Sequence, residues 1–256
     1  MPDTINFDKV ADLYDYYVTT DYDIPFYLKE CEGYKREILE LMCGTGRVSI
    51  PLLEAHHKLT CVDYAQGMLD VFADKIQTRH FHAHLLRMDI TELDLGKKFG
   101  LILAPFHSLS EILTAEGQQK ALKAIAKHLE TGGCFICTLQ NPTVRLRGAD
   151  GSMRVLGRFP MGTTRTLIVS YNSHYDAATG LVSGFQFYEI YNRLNVLTEK
   201  RFIPIHFRPI SRTAFESGLP ALHLQVEQLY GDYNYAPFNE ETSPYMIYKL
   251  RKEAKS

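Results

Sequence analysis

Up to Leu139 the chain alternates short apolar runs with amphipathic stretches. The apolar runs predict strands at Glu37–Met42, Lys58–Asp63, Ala83–Met88, Gly100–Pro105 and Cys134–Gln140. The stretches between them predict helices at Arg47–Ala55, Gly67–Gln77 and Glu116–Leu129. In the last, Leu122, Ile125, Ala126 and Leu129 recur at i, i+3, i+4 and i+7, which is one helix face. Strands alternating with such helices predict βαβ units and a parallel sheet.

Beyond Pro142 the pattern changes. Asn141–Gly162 is rich in Gly, Pro and Arg and reads as a loop or lid. Three strand-like segments follow, Thr163–Tyr175, Leu181–Leu197 and Arg201–Arg208, with turns at Asp176–Gly180 and Thr198–Lys200. In the third, Ile203, Ile205 and Phe207 share one face, while His206 and Arg208 lie on the other. A small antiparallel sheet inserted after the fifth strand is therefore expected. A helix from Ser211 to Ser217, with Ser211 as N-cap and Gly218 as stop, leads to two closing strands, Leu222–Tyr230 and Tyr245–Leu250.

Composition narrows the class without naming it. A chain of 256 residues, 45% hydrophobic and 23% charged, fits one soluble domain with a modest insertion. No apolar run approaches the roughly 20 residues that span a bilayer. Met1 to Lys9 lacks the basic start and apolar stretch of a secretory signal, so a cytoplasmic location is expected. A net charge of −2 weighs against a nucleic-acid partner. The pair Cys134 and Cys137 has CxxC spacing, but it sits in a strand pattern that sends the two side chains to opposite faces. No second CxxC or clustered His completes a metal site, so no metal is expected.

The chemistry concentrates at Ile38-Leu-Glu-Leu-Met-Cys-Gly-Thr-Gly-Arg-Val-Ser-Ile-Pro51. Here a strand runs into a tight glycine turn and then a helix. Gly44 and Gly46 permit positive φ and close approach of a ligand to the backbone, and a helix N-terminus beyond them would offer free N–H groups. Dinucleotide enzymes use the same device, but Gly44–Ser49 lacks their third glycine and no second nucleotide-binding half follows. The next strand ends at Val62-Asp63-Tyr64 and the third at Arg87-Met-Asp89-Ile90. Each thus delivers a carboxylate to the same side of the sheet. The fifth is entered through Leu129-Glu-Thr-Gly-Gly133.

Taken together, these motifs resemble the class I S-adenosylmethionine-dependent methyltransferases over roughly residues 36–140. Asp12–Tyr17 with Tyr22–Phe26, and the tail Tyr230–Tyr233 through Pro244–Ile247, resemble the small-molecule branch with an inserted β-subdomain. The fold this implies is α/β: a Rossmann-like three-layer sandwich with a small antiparallel sheet inserted after strand five. The resemblance divides the chain into N-terminal lid helices (1–35), a cofactor-binding α/β core (36–142), the inserted sheet (143–210), and a closing helix with the last two strands (211–256).

For the cofactor, S-adenosylmethionine, the resemblance assigns Glu40, Gly44 and Gly46 to the methionine end, Asp63 to the ribose and Asp89 to the adenine amino group. It offers Met68 to pack on the adenine face, the Ile90 backbone for the adenine ring, and Tyr14 and Tyr17 from the lid for the carboxylate or the sulfonium; Phe106, after the fourth strand, is placed to stack near the cofactor or wall the pocket. Three positions depart from the family pattern: Met42 and His56 stand where glycine is usual, and Thr131 where proline is.

Methyl transfer needs alignment of the acceptor and, for some acceptors, a base. Ligands lie at the carboxyl ends of such strands. Pro105–Glu111, after the fourth strand, is therefore the first place to look. His107 and Glu111 are its titratable groups, four residues apart, and Asp232 between the last two strands is a third candidate for the catalytic role. His206 and Arg208 could line the same pocket, and Arg145, Arg147, Arg154 and Arg158 would favour an anionic acceptor if they converged. The expected partner is a small-molecule acceptor methylated at N, O or C, with the chain a monomer or homodimer. Two other readings stand beside this one: a non-catalytic S-adenosylmethionine-binding or scaffold protein, and a methyltransferase acting on RNA or protein.

Overall fold

The computed structural model describes residues 5–254. Two sheets organise them. The larger contains β1 (Ile38–Leu41), β2 (Leu59–Asp63), β3 (His84–Arg87), β4 (Phe99–Ala104), β5 (Leu129–Gln140), β10 (Leu224–Tyr230) and β11 (Tyr245–Lys252). Its order is β10-β11-β5-β4-β1-β2-β3. The strands from β5 to β3 run parallel, and β11 and β10 add antiparallel neighbours at one edge.

β1 and β2 are buried along their whole length because helices cover both faces, which is why they read as unbroken apolar runs. Alternate residues feed two cores. Leu39 and Leu41 pack with Phe99, Phe135 and Tyr248 on one side, and Ile38 packs with Phe72, Leu101 and Ile136 on the other. Cys137 belongs to the first core and Cys134 to the second, so the CxxC pair does point to opposite faces, and all five cysteines are free.

Helices α3 (Ser49–Glu54), α4 (Gln66–Thr78) and α5 (Ala115–His128) link the parallel strands, while α1 (Ala11–Tyr17) and α2 (Ile24–Cys31) precede them. Among the described residues no helix is long and apolar enough to cross a membrane.

The smaller sheet has the order β6-β7-β8-β9, all antiparallel, from β6 (Arg154–Met161), β7 (Arg165–Asp176), β8 (Leu181–Asn192) and β9 (Leu197–Phe207). Its inner face, with Leu167, Val169, Tyr188, Ile190 and Ile203, packs on Ile5, Val10 and Leu13. The N-terminal segment is thus the mortar between the inserted sheet and the core.

Three local expectations are corrected. The stretch Asn141–Gly162 is not all loop: it holds the short helix α6 (Pro142–Arg145) and strand β6. β6 is an edge strand that exposes Val155 and Leu156 in succession and carries Gly157 and Pro160, so it lacks the alternation that marks a half-buried strand. The hairpin between β8 and β9 turns at Arg193–Val196, not at Thr198–Lys200, because the Asn192 side chain accepts the N–H groups of Leu194 and Val196 at 2.9 and 3.1 Å. The helix after β1 starts at Ser49 rather than Arg47, since residues 44–48 are turns.

The two unusual non-glycine positions have a common geometry. Met42 has φ 55° and His56 has φ 63°. His56 follows α3 where its N–H meets the Leu53 carbonyl at 2.9 Å and the His57 N–H meets that of Leu52 at 3.0 Å. This is a Schellman ending, in which glycine avoids the left-handed strain. His56→Gly should therefore stabilise the protein by about 0.5–1 kcal/mol, the left-handed cost less the entropy that glycine adds to the unfolded chain. Thermal unfolding should show a rise of roughly 2 °C. An unchanged or lowered midpoint would mean that the His56 side chain makes a compensating contact.

Candidate active site

The strand order reverses between β1 and β4, and the crevice lies at their carboxyl ends, as such a switch point requires. β1 leads into the turn Met42–Gly46. Gly44 and Gly46 have φ 56° and 81°. Packing adds a second reason for Gly46: a Cβ there would stand 2.4 Å from the Phe72 ring. Asp63, at the end of β2, braces the turn from behind. Its Oδ2 accepts the Gly44 N–H at 2.7 Å and its Oδ1 the Ala65 N–H at 2.9 Å. Burial raises its pKa, which the backbone donors only partly offset.

Two adjoining cavities fill the crevice. One is lined by Met42, Tyr64, Met88, Asp89, Ile90 and Ile112, with Glu111. The other is lined by Tyr14, Gly44, Asp63, Met68, Phe106 and Ser108, again with Met42, Tyr64 and Glu111. The shared residues make them two halves of one cleft. Asp89 presents its carboxylate to the first half. Its Oδ1 accepts both the backbone N–H and the hydroxyl of Thr91 at 2.8 Å, which fixes the group.

The structure brings together Tyr14, Gly44, Asp63, Met68, Asp89, Ile90, Phe106 and Glu111 along this cleft. Met68 lies in the Asp63 half. The apolar walls of the Asp89 half are Met42, Met88 and Ile112, none of which the sequence reading assigned to packing there.

Other candidates stand apart. Glu40 is buried behind the turn, accepts the Ser49 hydroxyl at 2.6 Å, and has its pKa pushed up to about 7 by burial. The Tyr17 hydroxyl meets that of Tyr188 at 3.1 Å and its ring packs on the inserted sheet. Asp232 accepts the N–H groups of Asn234 and Ala236 at 2.8 and 3.1 Å and closes its own loop.

The N-terminal segment roofs the cleft by a series of carboxylates. Asp8 accepts the Gly67 N–H at 2.6 Å, Asp15 accepts from Thr45 and Lys75, and Asp12 pairs with Arg201 of β9. The tightest link is between Asp23 and Arg47. Two contacts of 2.6 Å join them, Arg47 also donates to the Thr20 carbonyl, and its guanidinium lies 4.5 Å from the Phe106 ring centroid. Asp23 is 0% exposed. Sequence reading missed this pair; its only signal was an arginine directly after the glycine turn.

After β4 two consecutive residues, Phe106 (φ 59°) and His107 (φ 56°), sit in the left-handed region. Their rings stack at 4.9 Å. His107 Nε2 is 3.4 Å from the Gln140 amide nitrogen, and its Nδ1 is buried with no hydrogen-bond partner among the described residues. Burial, with the Arg145 and Arg47 charges, pushes its pKa down to about 3. Burial pushes Glu111 the other way, to about 8, with Asp63 adding repulsion.

Arg208 has a structural role that differs from the expected pocket-lining one. It donates to the Leu113 and Thr179 carbonyls at 2.6 and 2.8 Å, and its own N–H reaches the Ser110 carbonyl at 2.7 Å. These bonds staple the inserted sheet to the 3-10 turn Ser108–Glu111. His206 Nδ1 meets the Ser183 hydroxyl at 3.0 Å.

Residues 38–133 match a family model described as a methyltransferase domain. The cypemycin N-terminal methyltransferase of a Streptomyces species is 27% identical over 135 residues, 53% of this chain and 54% of that protein. The chain spans about half the length of the curated relatives it matches. Among solved structures, an S-adenosylmethionine-dependent methyltransferase from Clostridium acetobutylicum superposes with a TM-score of 0.78 at 20% identity, covering 97% of this chain and 99% of that one. The CcbJ methyltransferase of Streptomyces caelestis gives 0.79 at 22%, covering 98% and 99%. At these identities the likeness is one of fold, and it extends through the inserted sheet.

Two measurements test this architecture. Asp23→Ala would strand the Arg47 guanidinium in a largely buried place and should cost about 3 kcal/mol in denaturant unfolding. The double variant Asp23→Leu/Arg47→Met should cost clearly less. Equal costs for the two would remove the pair as the anchor of the N-terminal segment.

Glu111 ionises at about 8 when folded, against 4.5 ordinarily. Between those values the folded chain holds a proton that the unfolded chain has released. Its stabilising contribution is therefore complete below pH 4.5 and is lost as pH rises toward 8. The melting temperature should fall from about pH 6.5 to pH 8, above the range in which His107, held neutral, acts in the opposite direction, and Glu111→Gln should flatten that fall. An unaltered profile would rule out Glu111 as its source.

Proposed function

We propose, on the premise that residues 38–133 belong to the methyltransferase-domain family and that the chain has the class I methyltransferase fold, that this protein transfers the methyl group of S-adenosylmethionine to a small-molecule acceptor. The observation that carries the reading is the pairing of Asp63 and Asp89 on the two halves of one cleft beside the glycine turn.

The residues present fit that cofactor. Asp63 spends one lone pair of each oxygen on backbone donors and keeps others for ribose hydroxyls. Asp89 keeps Oδ2 for an amino donor, while Met42, Met88 and Ile112 supply apolar walls for a flat ring, and the Ile90 backbone lies at its edge. Gly44 leaves room at the turn, with Met68 beneath it. Buried carboxyl groups at Glu111 and Asp63 suit a cationic ligand, whose charge would draw them into the ionised form.

When bound, S-adenosylmethionine supplies an activated methyl group on a sulfonium, so the protein is left with alignment, exclusion of water and removal of any acceptor proton. Phe106 and Tyr14 wall the cleft on the acceptor side, and the roof held by Asp23 and Arg47 shields it from solvent. Glu111 lines both halves of the cleft; of the three residues offered as a base it has the position for it, whereas His107 is stacked behind Phe106 and Asp232 is committed to its loop. A folded His107 held neutral can accept a proton only weakly, which favours acceptors that arrive deprotonated.

A small acceptor is favoured over RNA or protein by the roofed cleft and by the net charge of −2. Met42, which stands where glycine is usual, takes up the left-handed turn conformation and lines the cleft, so this departure leaves the cavity intact and gives no support to a non-catalytic scaffold.

Calorimetric titration with S-adenosylmethionine should give saturable binding, and Asp63→Ala should weaken it by about 1–3 kcal/mol through the lost hydrogen bonds and the loosened Gly44 turn. Absence of binding by the native chain would refute the reading. Unchanged affinity in the variant would remove Asp63 from the ribose.

A further inference from the structure

Of the six basic residues named for the acceptor side, one combines partial burial with the lack of a partner among the described residues. Arg147 reaches Glu241, Arg154 pairs with Asp150, Arg208 staples the inserted sheet, His206 bonds Ser183, and Arg158 is exposed on β6. Arg145 differs from all of them. It is partly buried at the end of α6, its guanidinium lies 5.0 Å from the Phe207 ring centroid, and it has no hydrogen-bond or carboxylate partner among the described residues. A half-desolvated guanidinium without an anion is an expensive arrangement, and burial does depress its pKa.

A second unsatisfied group lies near it. The Gln140 amide nitrogen can only donate, so the ring nitrogen it faces, His107 Nε2, must accept. The single proton of the neutral imidazole then resides on Nδ1, the buried atom with no partner. The Arg145 charge is close enough to push that imidazole further toward neutrality. A cation and a neutral N–H donor therefore both lie beyond the carboxyl ends of β4, β5 and β9, Arg145 against the Phe207 ring and His107 against that of Phe106. Phe106, whose ring stacks on His107, lines the cleft. The strained left-handed pair Phe106–His107 is what turns the imidazole to this side.

We propose that the methyl acceptor carries a carboxylate, which Arg145 and the His107 Nδ1–H bind on the far side of Phe106 from the cofactor. The proposal rests on the methyltransferase reading for the cofactor half of the cleft. One guanidinium and one neutral donor match the single charge and two oxygens of a carboxylate. A phosphate dianion would leave charge uncompensated.

The test uses benzoate, phenylacetate and a set of α-amino acids, each against its own carboxamide. Binding is measured by calorimetry to the chain alone and to the chain saturated with S-adenosylhomocysteine. At least one acid should bind about tenfold or more tightly than its amide, as a charge-assisted hydrogen-bond pair requires. Arg145→Met, which keeps an apolar stem over Phe207, should abolish the difference and leave S-adenosylhomocysteine affinity unchanged; Arg145→Lys should restore part of it. Absence of any acid–amide preference in either form of the chain, or a preference that survives Arg145→Met, overturns the proposal. The affinity for S-adenosylhomocysteine is read separately, so its failure would count against the methyltransferase reading.

Discussion

The Arg47–Asp23 ion pair holds together the three parts of the structure that make a site. Arg47 belongs to the turn that follows β1, Asp23 to the N-terminal segment, and the Phe106 ring beneath the guanidinium to the loop after β4. A buried pair of this kind adds little net stability over an apolar contact, because desolvation consumes most of the Coulombic gain. What it adds is position. Its bidentate geometry allows one arrangement of roof, turn and wall, and the Thr20 carbonyl completes the donor set. The weaker links from Asp8, Asp15 and Asp12 then follow from a segment already in place.

The roof has an electrostatic consequence. By excluding water it raises the cost of every charge beneath it, and the carboxyl groups respond according to their partners. Glu111, with no hydrogen-bond partner among the described residues, is pushed to about 8; Glu40, with one hydroxyl, reaches about 7; Asp63 is raised as well, with backbone donors opposing the rise. The same desolvation drives His107 toward neutrality. A cleft of this kind favours a ligand that brings positive charge to its acids, and a sulfonium does so.

Much of this was legible in the residues alone, for a physical reason. The central parallel strands β1 and β2 are covered on both faces, so their apolar runs are unambiguous, and Gly44, Asp63 and Asp89 follow or end strands where spacing alone locates them. What escaped was whatever depends on a partner distant in the chain. β6 exposes Val155 and Leu156 in succession and buries only Met161, so its pairing with β7 left no alternating pattern. Arg208 has the chemistry of a ligand-binding residue, yet backbone carbonyls from Leu113 and Thr179 claim it. Asp23 and Arg47 are 24 residues apart, and nothing local to either announces the other. Asp232 illustrates the converse: an acid beside a run of tyrosines fits a catalytic reading, but the Asn234 and Ala236 N–H groups two and four residues on already explain it.

Backbone strain ties these observations together. Met42, Phe106 and His107 are non-glycine residues in the left-handed region, and each follows the carboxyl end of one of the two strands flanking the switch point. Each such residue costs on the order of 1–2 kcal/mol. Unlike His56, whose helix ending is on the exposed surface, these three are held where side chains meet the cleft or its far wall: Met42 lines both cavities, Phe106 lines one, and His107 turns its Nδ1 away from Gln140. Relief by glycine would be available at any of them, but it would remove the side chain that the strain positions. The same φ angle thus has different meanings at different sites. At His56 it marks a helix ending that glycine would improve, and at Phe106 and His107 it sets two stacked rings, the first of which walls the cleft.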